Sequence, residues 1–431
     1  MQKNHFFTAI LFVAVCTAVL FCGCVNDHTA KQPTSTSLQQ TTASEPAQYV
    51  RGNFIENATT SAFRYARYEN GIVLTRYIGE EVQLVIPNAI QGAPVCEIDA
   101  NTFTKQTRLQ SVEIPATVCV VAEGAFASCT NLQSITVSDA NLYFCSVDGV
   151  LYDHNMQTLL VYPAGKTDAA FSVPETVQAI SDSAFYGAAY LQSILLPASV
   201  QSFGRAAFAS CHQLQYVECN AEMTQIPDDF FNGCTALSSF DFPPALEEIG
   251  ARAFQLCAAL QTVSLPDTLT AIGDSAFGKC TELRQVSLPE TLIQLGSSVF
   301  SGCSRLQNVQ LPQNMAVLPA DTFSFCYALR SVVLPTGLNE IGSGAFYQCI
   351  SLCSLSLPQS LHTIGTEAFK DCSSVSYITI PTSVSSIGKD AFLLGDPLAP
   401  HRSYITVRCA ANSAAAQYCA ENGIPCSLTG D

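Results

Sequence analysis

A phenylalanine recurs every 23 residues through most of this chain, and this register constrains the fold more than any other feature of the sequence. The 59 residues between the second and third members correspond to two periods and 13 further residues, so we expect an insertion there. A chain built from such a repeat forms a stack of similar coils. The register comprises Phe103, Phe126, Phe185, Phe208, Phe231, Phe254, Phe277, Phe300, Phe323, Phe346, Phe369 and Phe392.

The residues around each phenylalanine repeat as well, in the outline P-x-x-L-x-x-I-G-x-x-A-F-x-x-C-x-x-L-x-x-V-x-L. In one unit, the segment LRQVSLP alternates apolar and polar residues and is closed by proline. This pattern predicts a short strand, with Val286 and Leu288 inward and Gln285 and Ser287 outward.

The segment IGDSAFGKC of the same unit predicts a turn that leads into a short helical stretch. Gly273 there permits a positive φ, and Ala276 and Phe277 face the core. One unit is too small to bury its apolar side alone, whereas stacked units bury one another. We therefore predict an α/β-type solenoid of about twelve 23-residue coils, with one parallel strand per coil.

The unit, with its A-F-x-x-C-x-x-L core, resembles the leucine-rich repeat of BspA-like bacterial surface proteins. The resemblance implies an N-terminal cap or entry segment over residues 50–95, a leucine-rich repeat solenoid over 96–400 and a C-terminal cap over 401–431. Residues Asn141–Lys166 resemble the inserted β-hairpin of that family, within an insertion at about 138–173. Asp148-Gly149 predicts the turn of this hairpin.

The residues that follow the repeat region predict how the stack is closed. Residues Ser413–Ile424, SAAAQYCAENGI, have the pattern of a short amphipathic helix. A cap is physically required, because the last coil would otherwise expose core residues and an unpaired sheet edge.

The N-terminus has the pattern of an export signal, with an apolar run, Phe6–Phe21, that is short for a membrane span. The residues LFCGC resemble a bacterial lipoprotein processing site, which implies a signal peptide over 1–23 and lipid attachment at Cys24. Plain secretion and an uncleaved anchor are the alternatives. Residues 24–49 are rich in Thr, Ser and Gln and predict a disordered tether.

Nine cysteines occupy one repeat position, three residues after the column phenylalanine. A buried neutral cysteine behaves as a small apolar residue, and each interior cysteine has two equivalent neighbours, so no unique disulfide pairing follows. We interpret these residues as structural thiols and call them the thiol ladder. They are Cys129, Cys211, Cys234, Cys257, Cys280, Cys303, Cys326, Cys349 and Cys372.

Five other cysteines leave more than one alternative open. Cys96 and Cys119 are 23 residues apart and either form a disulfide or remain free thiols. Cys409, Cys419 and Cys426 fall near the C-terminal cap and could hold one bridge. A metal site is not favoured at these three, since their spacing matches no C-x2-C pattern and no histidine accompanies them.

Several classes of function are disfavoured by the composition. The net charge of −16, with only 19 Lys and Arg residues, argues against nucleic acid as a partner. The six histidines occupy unrelated repeat positions, and no phosphate-binding glycine motif is present. The acidic pairs Asp228-Asp229 and Glu247-Glu248 fall in turn segments of different coils and are typical of solvated charge. We predict a protein that is not an enzyme and that uses no cofactor.

The outward strand positions form the most informative surface, because they are polar, small and nearly uncharged. Tyr216 has acidic neighbours there and is our first choice of anchor, since aromatic residues often dominate binding energies. The alternative is that an exposed β-surface simply tolerates Ser and Thr. The candidate binding face comprises Tyr216, Glu218, Asp241, Ser264, Gln285, Ser287, Asn308 and Gln310.

Membership of the BspA-like group implies adhesion to host or bacterial proteins or glycans at the cell surface. The residues themselves indicate export, a tether and an extended scaffold, and the lipid that would attach the tether to the membrane is implied by the resemblance to a lipoprotein processing site. We therefore predict an exported lipoprotein at the cell surface or on the outer face of the envelope. A structural or periplasmic envelope component without an external ligand is the alternative.

Overall fold

The computed structural model of the protein describes residues 49–395 and 403–429. The predicted signal peptide, Cys24 and all of the predicted tether except Tyr49 lie outside these residues. None of the helices in the described ranges combines the length and the apolar character that a membrane crossing requires. The described chain is the predicted solenoid, in which equivalent residues of successive coils are paired 23 positions apart.

In most coils, one strand pairs in parallel with the equivalent strand of a neighbouring coil, and we call the outward side of these strands the strand face. Thr262 lies opposite Gln285, and Asn308 lies opposite Ser331. The inward side chains, such as Val263, are buried. The strands are Gln83–Val85, Ser111–Ile114, Ser134–Val137, Ala170–Ser172, Ser193–Leu196, Tyr216–Cys219, Thr262–Ser264, Gln285–Ser287, Asn308–Gln310, Ser331–Val333, Tyr377–Thr379, Thr406–Ala410 and Cys426–Thr429.

Most coils contain a second, two-residue strand, which the repeat pattern did not predict. Ala271–Ile272 pairs in parallel with Gln294–Leu295, for example. Seven of these ten short strands lie directly before the glycine of the repeat, and the other three precede Ser181, Pro227 and Pro319. They are Ala179–Ile180, Ser202–Phe203, Gln225–Ile226, Glu248–Ile249, Ala271–Ile272, Gln294–Leu295, Val317–Leu318, Glu340–Ile341, Thr363–Ile364 and Ser386–Ile387.

The segment that follows, predicted to contain a short helical stretch, is a succession of turns. Its backbone N–H groups alternate between hydrogen bonds to the next coil and local bonds to the residue three positions earlier, as from Gly278 to Ser275. The N–H of Ser275 donates to the carbonyl of Ser297 at 2.8 Å, and that of Phe277 donates to Val299 at 3.0 Å. Because buried backbone groups need partners and the next coil supplies them, no helix is required. The α-helix of the described residues is Ala414–Asn422.

The prediction that Gly273 adopts a positive φ is wrong. The left-handed residue comes two positions later, at Ser275, whose φ is 56°. Gly273 is instead required by the close approach of two coils, since a Cβ on it would lie 2.5 Å from the backbone nitrogen of Ala251. Any larger residue would push the neighbouring backbone away. The glycine therefore sets the distance between coils.

The column phenylalanines are buried and form an aromatic stack in the interior. From Phe254 to Phe392 the rings of neighbouring coils are almost parallel, with centroids 5.3–6.0 Å apart. Phe277, Cys280 and Leu283 have no exposed surface. Since each aromatic side chain buries about 150–250 Å², this stack supplies a large part of the apolar burial.

The insertion forms the predicted hairpin. Phe144–Val147 pairs antiparallel with Val150–Asp153, and Val147 lies opposite Val150. Asp148 and Gly149 form the two-residue turn, with φ values of 51° and 79°. Two positive φ angles in succession are what this type of hairpin turn requires, which explains the Asp-Gly pair.

The inserted region also contributes a coil of its own. Its third strand, Thr158–Val161, pairs in parallel with the short strand Ala179–Ile180. Tyr162 then takes the position of the column phenylalanine, and its ring stacks on Phe185 at 5.1 Å. The phenylalanine register did not reveal this residue, because the repeat unit there carries a tyrosine. The core divides at this point into two clusters, with Phe126 in one and Tyr162 in the other.

Both predicted caps are present. The N-terminal cap is a sheet whose strands are Phe54–Thr59, Phe63–Tyr68, Gly71–Tyr77, Ala89–Ile90, Ala93–Ile98 and Val120–Val121. In the C-terminal cap, the helix Ala414–Asn422 begins after Ser413, whose hydroxyl accepts a hydrogen bond from the N–H of Ala416, and ends at Gly423 in the left-handed conformation. The ring of Tyr418 in this helix contacts Phe392, the last column phenylalanine, with centroids 6.1 Å apart. Directly after Phe392, the short strand Leu393–Leu394 pairs antiparallel with Ser403–Tyr404.

Candidate binding face

All eight candidate residues lie on the outward side of their coils with exposed side chains, namely Tyr216, Glu218, Asp241, Ser264, Gln285, Ser287, Asn308 and Gln310. Tyr216 is 52% exposed and lies opposite Ser193 in parallel register. Val217, the next residue, is buried. The alternation of apolar and polar residues therefore predicted the direction of these side chains.

A break in the sheet divides the candidate residues into two groups. Tyr216 and Glu218 belong to the last strand of a three-stranded sheet, whereas Ser264 belongs to the first strand of a four-stranded sheet. Asp241 lies in the coil between them, where residues 238–243 form no strand. The acidic patch predicted around Tyr216 therefore lies at a break and not on a continuous sheet.

The break coincides with two large side chains at inward positions. Phe240 and Phe242 stand where the next coil has Val263 and Leu265. Phe240 packs against Phe254 with ring centroids 5.6 Å apart, and Phe242 packs against it at 5.3 Å. Because these rings need more depth than Val or Leu, the segment that carries them forms no strand, whereas the short strand Glu248–Ile249 of the same coil pairs with both neighbouring coils.

A groove of about 750 Å³ opens on the strand face beyond the break. Four candidate residues line it, namely Ser264, Gln285, Ser287 and Asn308. Six other residues line it, namely Thr262, Val263 and Val286 within the strands and three polar residues that were not predicted, Gln261, Arg284 and Gln307. The last three occupy the position just before the strand in consecutive coils. The alternation of polar and apolar residues applies only within the strand, so it did not predict these three positions. Their polar side chains at 23-residue spacing are nevertheless visible in the sequence.

The groove presents amide and hydroxyl groups, with Arg284 as its positive charge. The lining residues, as the structure describes them, include no carboxylate. At one end the hydroxyl of Ser331 donates to Oδ1 of Asn308 at 2.7 Å, which leaves the amide NH2 of Asn308 to face outward as a donor. Such a surface can hydrogen-bond to a polar partner both as a donor and as an acceptor.

A second exposed aromatic residue marks the far end of the strand face. Tyr377 is 50% exposed, and the guanidinium of Arg408 in the adjacent strand lies 3.4 Å from the centre of its ring. A cation held over an aromatic face is stabilising and fixes both side chains. The strand face therefore carries Tyr216 before the groove and Tyr377 beyond it.

The adjacent carboxylates Asp228 and Asp229 are held by hydrogen bonds, which corrects their interpretation as merely solvated charge. Asp228 accepts a hydrogen bond from a backbone N–H of the next coil at 2.7 Å. Burial alone would raise the pKa of Asp229, but hydrogen bonds from Arg252, Arg205 and Asn232 lower it to about 2. A carboxylate held as an anion in this way is a poor general base, since it has little affinity for a proton near neutral pH.

Within residues 49–395 and 403–429, no group of three or more His, Cys, Asp or Glu side chains is arranged to hold a metal ion. Glu247 and Glu248, the other acidic pair, are exposed.

The thiol ladder consists of free, buried cysteines, as predicted. Each ladder thiol also donates a hydrogen bond to the carbonyl of the column phenylalanine 26 residues earlier, at 2.9–3.3 Å. The contact of Cys280 with the carbonyl of Phe254 is one example. Burial raises the pKa of the Cys303 and Cys372 thiols to about 12. The ladder hydrogen bonds therefore tie successive coils together, and the thiols of Cys303 and Cys372 stay protonated at neutral pH.

The other cysteines within the described ranges are free thiols as well. The thiol of Cys119 donates to the carbonyl of Cys96 at 3.2 Å. In the C-terminal cap, the sulfur atoms of Cys409 and Cys426 lie 3.1 Å apart.

Parallel strands on one side, turns on the other and an interior of repeated apolar residues define the leucine-rich repeat class of solenoid. A family model described as the BspA type leucine rich repeat region, in six copies, matches residues 90–146, 167–284 and 270–395. These matches cover more than half of the chain, and the inserted hairpin falls mainly between the first two. The chain belongs to the BspA-type leucine-rich repeat family.

Solved structures of bacterial leucine-rich repeat proteins resemble this one. A protein from Bacteroides ovatus is 24% identical with a TM-score of 0.56, and the match covers 86% of this chain and 99% of that one. A protein from Eubacterium ventriosum is 27% identical, with 51% and 64% covered and a TM-score of 0.43. A leucine rich cell surface protein from Faecalibacterium prausnitzii is 24% identical, with 69% and 93% covered and a TM-score of 0.39. None of the curated proteins matches this chain significantly.

The first of these similarities establishes a shared fold and nothing more. Leucine-rich repeat proteins in general act by binding a protein or another ligand on the extended surface of the solenoid.

Proposed function

We propose that this protein is a non-enzymatic recognition protein, tethered to the bacterial cell surface, that binds a protein or a glycan through its strand face. The groove lined by Gln261, Arg284, Gln285 and Asn308 carries this proposal, because its polar side chains are exposed and not committed to the core. Family membership supports a location at the surface, and so does the lipoprotein-like sequence that ends at Cys24.

The contact must extend over several coils. A standard protein interface needs about 800 Å² from each partner, and each coil offers only two or three outward side chains. The groove itself draws on three coils. Tyr216 on one side and Tyr377 on the other are exposed aromatic residues that an extended partner would reach next. Many tethered copies on one cell would add avidity to a weak single contact.

The tether is proposed from the sequence alone, since Cys24 lies outside the described residues. Metabolic labelling of producing cells with a fatty acid tests it. Labelled wild-type protein and an unlabelled Cys24→Ala variant are expected, whereas equal labelling of both would show that the anchor is elsewhere.

Binding is tested with beads coated with residues 46–431, which form one compact unit. The beads are incubated with matrix proteins, with mucins and with bacterial cells, and capture of at least one class is expected. If densely coated beads capture none of them, an envelope component without an external ligand is the better explanation.

Exposure on the cell is tested separately by adding protease to intact producing cells. A recognition protein is degraded under these conditions, while a periplasmic marker protein in the same cells is spared. A chain that survives until the cells are opened faces inward, and it would not be an adhesin.

A further inference from the structure

Three cysteines meet in the C-terminal cap. Cys409 lies in the strand Thr406–Ala410, Cys426 begins the neighbouring parallel strand Cys426–Thr429, and Cys419 lies on the helix that connects the two strands. The Sγ atoms of Cys409 and Cys426 are 3.1 Å apart. Two sulfur atoms at this distance need to approach by only about 1 Å to reach the length of a disulfide bond.

The three thiols differ in how easily a reagent can reach them. Cys426 is exposed, whereas Cys409 and Cys419 keep only 1% and 2% of their surface accessible. The ladder thiols, such as Cys280, have none and are already bonded to a carbonyl. A small oxidant in solution therefore reaches the cap through Cys426 and does not reach the ladder.

We propose that Cys409 and Cys426 form an oxidation site, at which exchange with a low-molecular-weight disulfide links the last strand of the solenoid covalently to its neighbour. The thiolate of Cys426 attacks one sulfur of the small disulfide, so that a mixed disulfide forms and one small thiol leaves. Cys409 then loses its proton to solvent and attacks the Cys426 sulfur, which releases the second small thiol. Two protein thiols are oxidised, and one small disulfide is reduced to two thiols.

The order of these steps follows from the surroundings of the thiols. Burial raises the pKa of Cys409 to about 11 and that of Cys419 to about 12, and the neighbouring cysteines of the cluster add to both shifts. Neither is a good first nucleophile near neutral pH, because the thiolate is the attacking form. Once Cys426 carries the mixed disulfide, Cys409 lies next to the sulfur that it must attack.

The linkage would reinforce the cap at its last strand. Among the described residues, the strand Cys426–Thr429 pairs with a single neighbour, the strand Thr406–Ala410. A bond between residues 17 apart in sequence closes a loop that contains the whole helix. Since a closed loop has fewer unfolded conformations, the melting temperature of the oxidised cap should rise by several degrees.

The experiment uses the whole chain, reduced and then incubated with oxidised glutathione at pH 8. Remaining thiols are blocked by alkylation before peptide mapping without reductant. We expect a cross-linked pair of peptides containing Cys409 and Cys426, which disappears on reduction. Cys409→Ser should accumulate one glutathione adduct on Cys426, since the first step proceeds and the second cannot. Cys426→Ser should give neither product.

Two further variants separate the proposal from its alternatives. Cys419→Ser should retain the cross-link, and Cys280→Ser, in the ladder, should leave it unchanged. A wild-type cross-link between Cys419 and Cys426 would overturn the proposed pairing. Absence of any cross-link in the cap, with Cys426 still free to alkylate, would overturn the oxidation site altogether. The binding experiments described above do not depend on either result.

Discussion

The interior of the solenoid and its strand face are built from the same repeats, yet they follow opposite rules. From Phe254 to Phe369, each coil offers the interior the same phenylalanine and, three residues later, the same cysteine, all of them buried. On the strand face one position is occupied by three kinds of side chain in four of these coils, namely Ser264, Ser287, Gln310 and Val333. Every coil faces the same packing requirement inside, whereas outside no such requirement applies, so what distinguishes this chain from a generic repeat lies on the strand face.

The largest effect expected for the interior is a loss of stability at alkaline pH. Burial raises the pKa of ladder thiols above their ordinary value of 9.0, to about 12 for Cys303 and Cys372. A raised pKa means that the folded state holds the proton more tightly than the unfolded state. The stabilisation is therefore complete below pH 9 and is lost as the pH rises from about 9 towards 12.

Between pH 9 and 12, each such thiol lowers the free energy of unfolding by about 1.4 kcal/mol for every pH unit. The effects of several thiols add together. Denaturant titrations at pH 8, 9, 10 and 11 should show a steep fall in the free energy of unfolding. Cys303→Ser should make this dependence shallower by about 1.4 kcal/mol per pH unit. A free energy of unfolding that stays constant to pH 11 would show that the ladder is not buried as described.

Removal of one ring from the aromatic stack should have the next largest effect. Phe277 is completely buried, and Phe277→Ala should cost about 3–5 kcal/mol because a cavity opens between two neighbouring rings. Phe325 serves as the control, because it is 37% exposed and adopts a left-handed φ of 61°. Phe325→Ala should cost clearly less in the same denaturant titration. Equal losses for the two variants would contradict the distinction between interior and surface.

A ladder cysteine should matter less than a ring. Cys280→Ala removes a small buried group and its hydrogen bond to the carbonyl of Phe254, at a cost of about 1–2 kcal/mol. Cys353 is an exposed thiol, so Cys353→Ala should change stability by less than about 0.5 kcal/mol. If Cys280→Ala were more damaging than Phe277→Ala under non-reducing conditions, the ladder would be something other than a set of structural thiols.

The repeat made the interior predictable from the sequence, because its positions are set by periodic identity. Phe277, Cys280 and Leu283 recur at a fixed spacing, and that spacing alone indicated that they are stacked and buried. The hairpin turn at Asp148-Gly149 was predictable for a local reason, since few other residue pairs favour two positive φ angles in succession.

Features that depend on the distance between coils were not predictable from one unit. The role of Gly273 depends on the backbone of Ala251 in the preceding coil, which no pattern within the unit contains. The segment around Phe277 forms turns and not the expected helical stretch, because part of its backbone hydrogen-bonds to the next coil. A pattern within one unit does not contain these partners either. The break at Asp241 and the groove beside Arg284 arise from how neighbouring coils fit together. The alternating pattern therefore predicted which strand side chains are exposed, but it predicted neither the break nor the groove.

The smallest change in stability is expected on the strand face, and it should accompany the largest change in binding. Arg284→Glu combined with Gln285→Ala alters two exposed residues of the groove. The matched control, Lys279→Glu combined with Gln313→Ala, makes the same changes of charge and size at exposed positions away from the strand face. Neither pair touches the buried columns.

The decisive measurement records the melting temperature and the bead capture of these two double variants side by side. The account predicts that both keep the melting temperature of the wild type within about 1–2 °C. It also predicts that beads coated with the groove variant lose most of their capture of matrix proteins, mucins or bacterial cells, whereas beads coated with the control variant keep it. Equal capture by the two variants, or a groove variant that loses capture only because it melts, would contradict the assignment of recognition to the strand face.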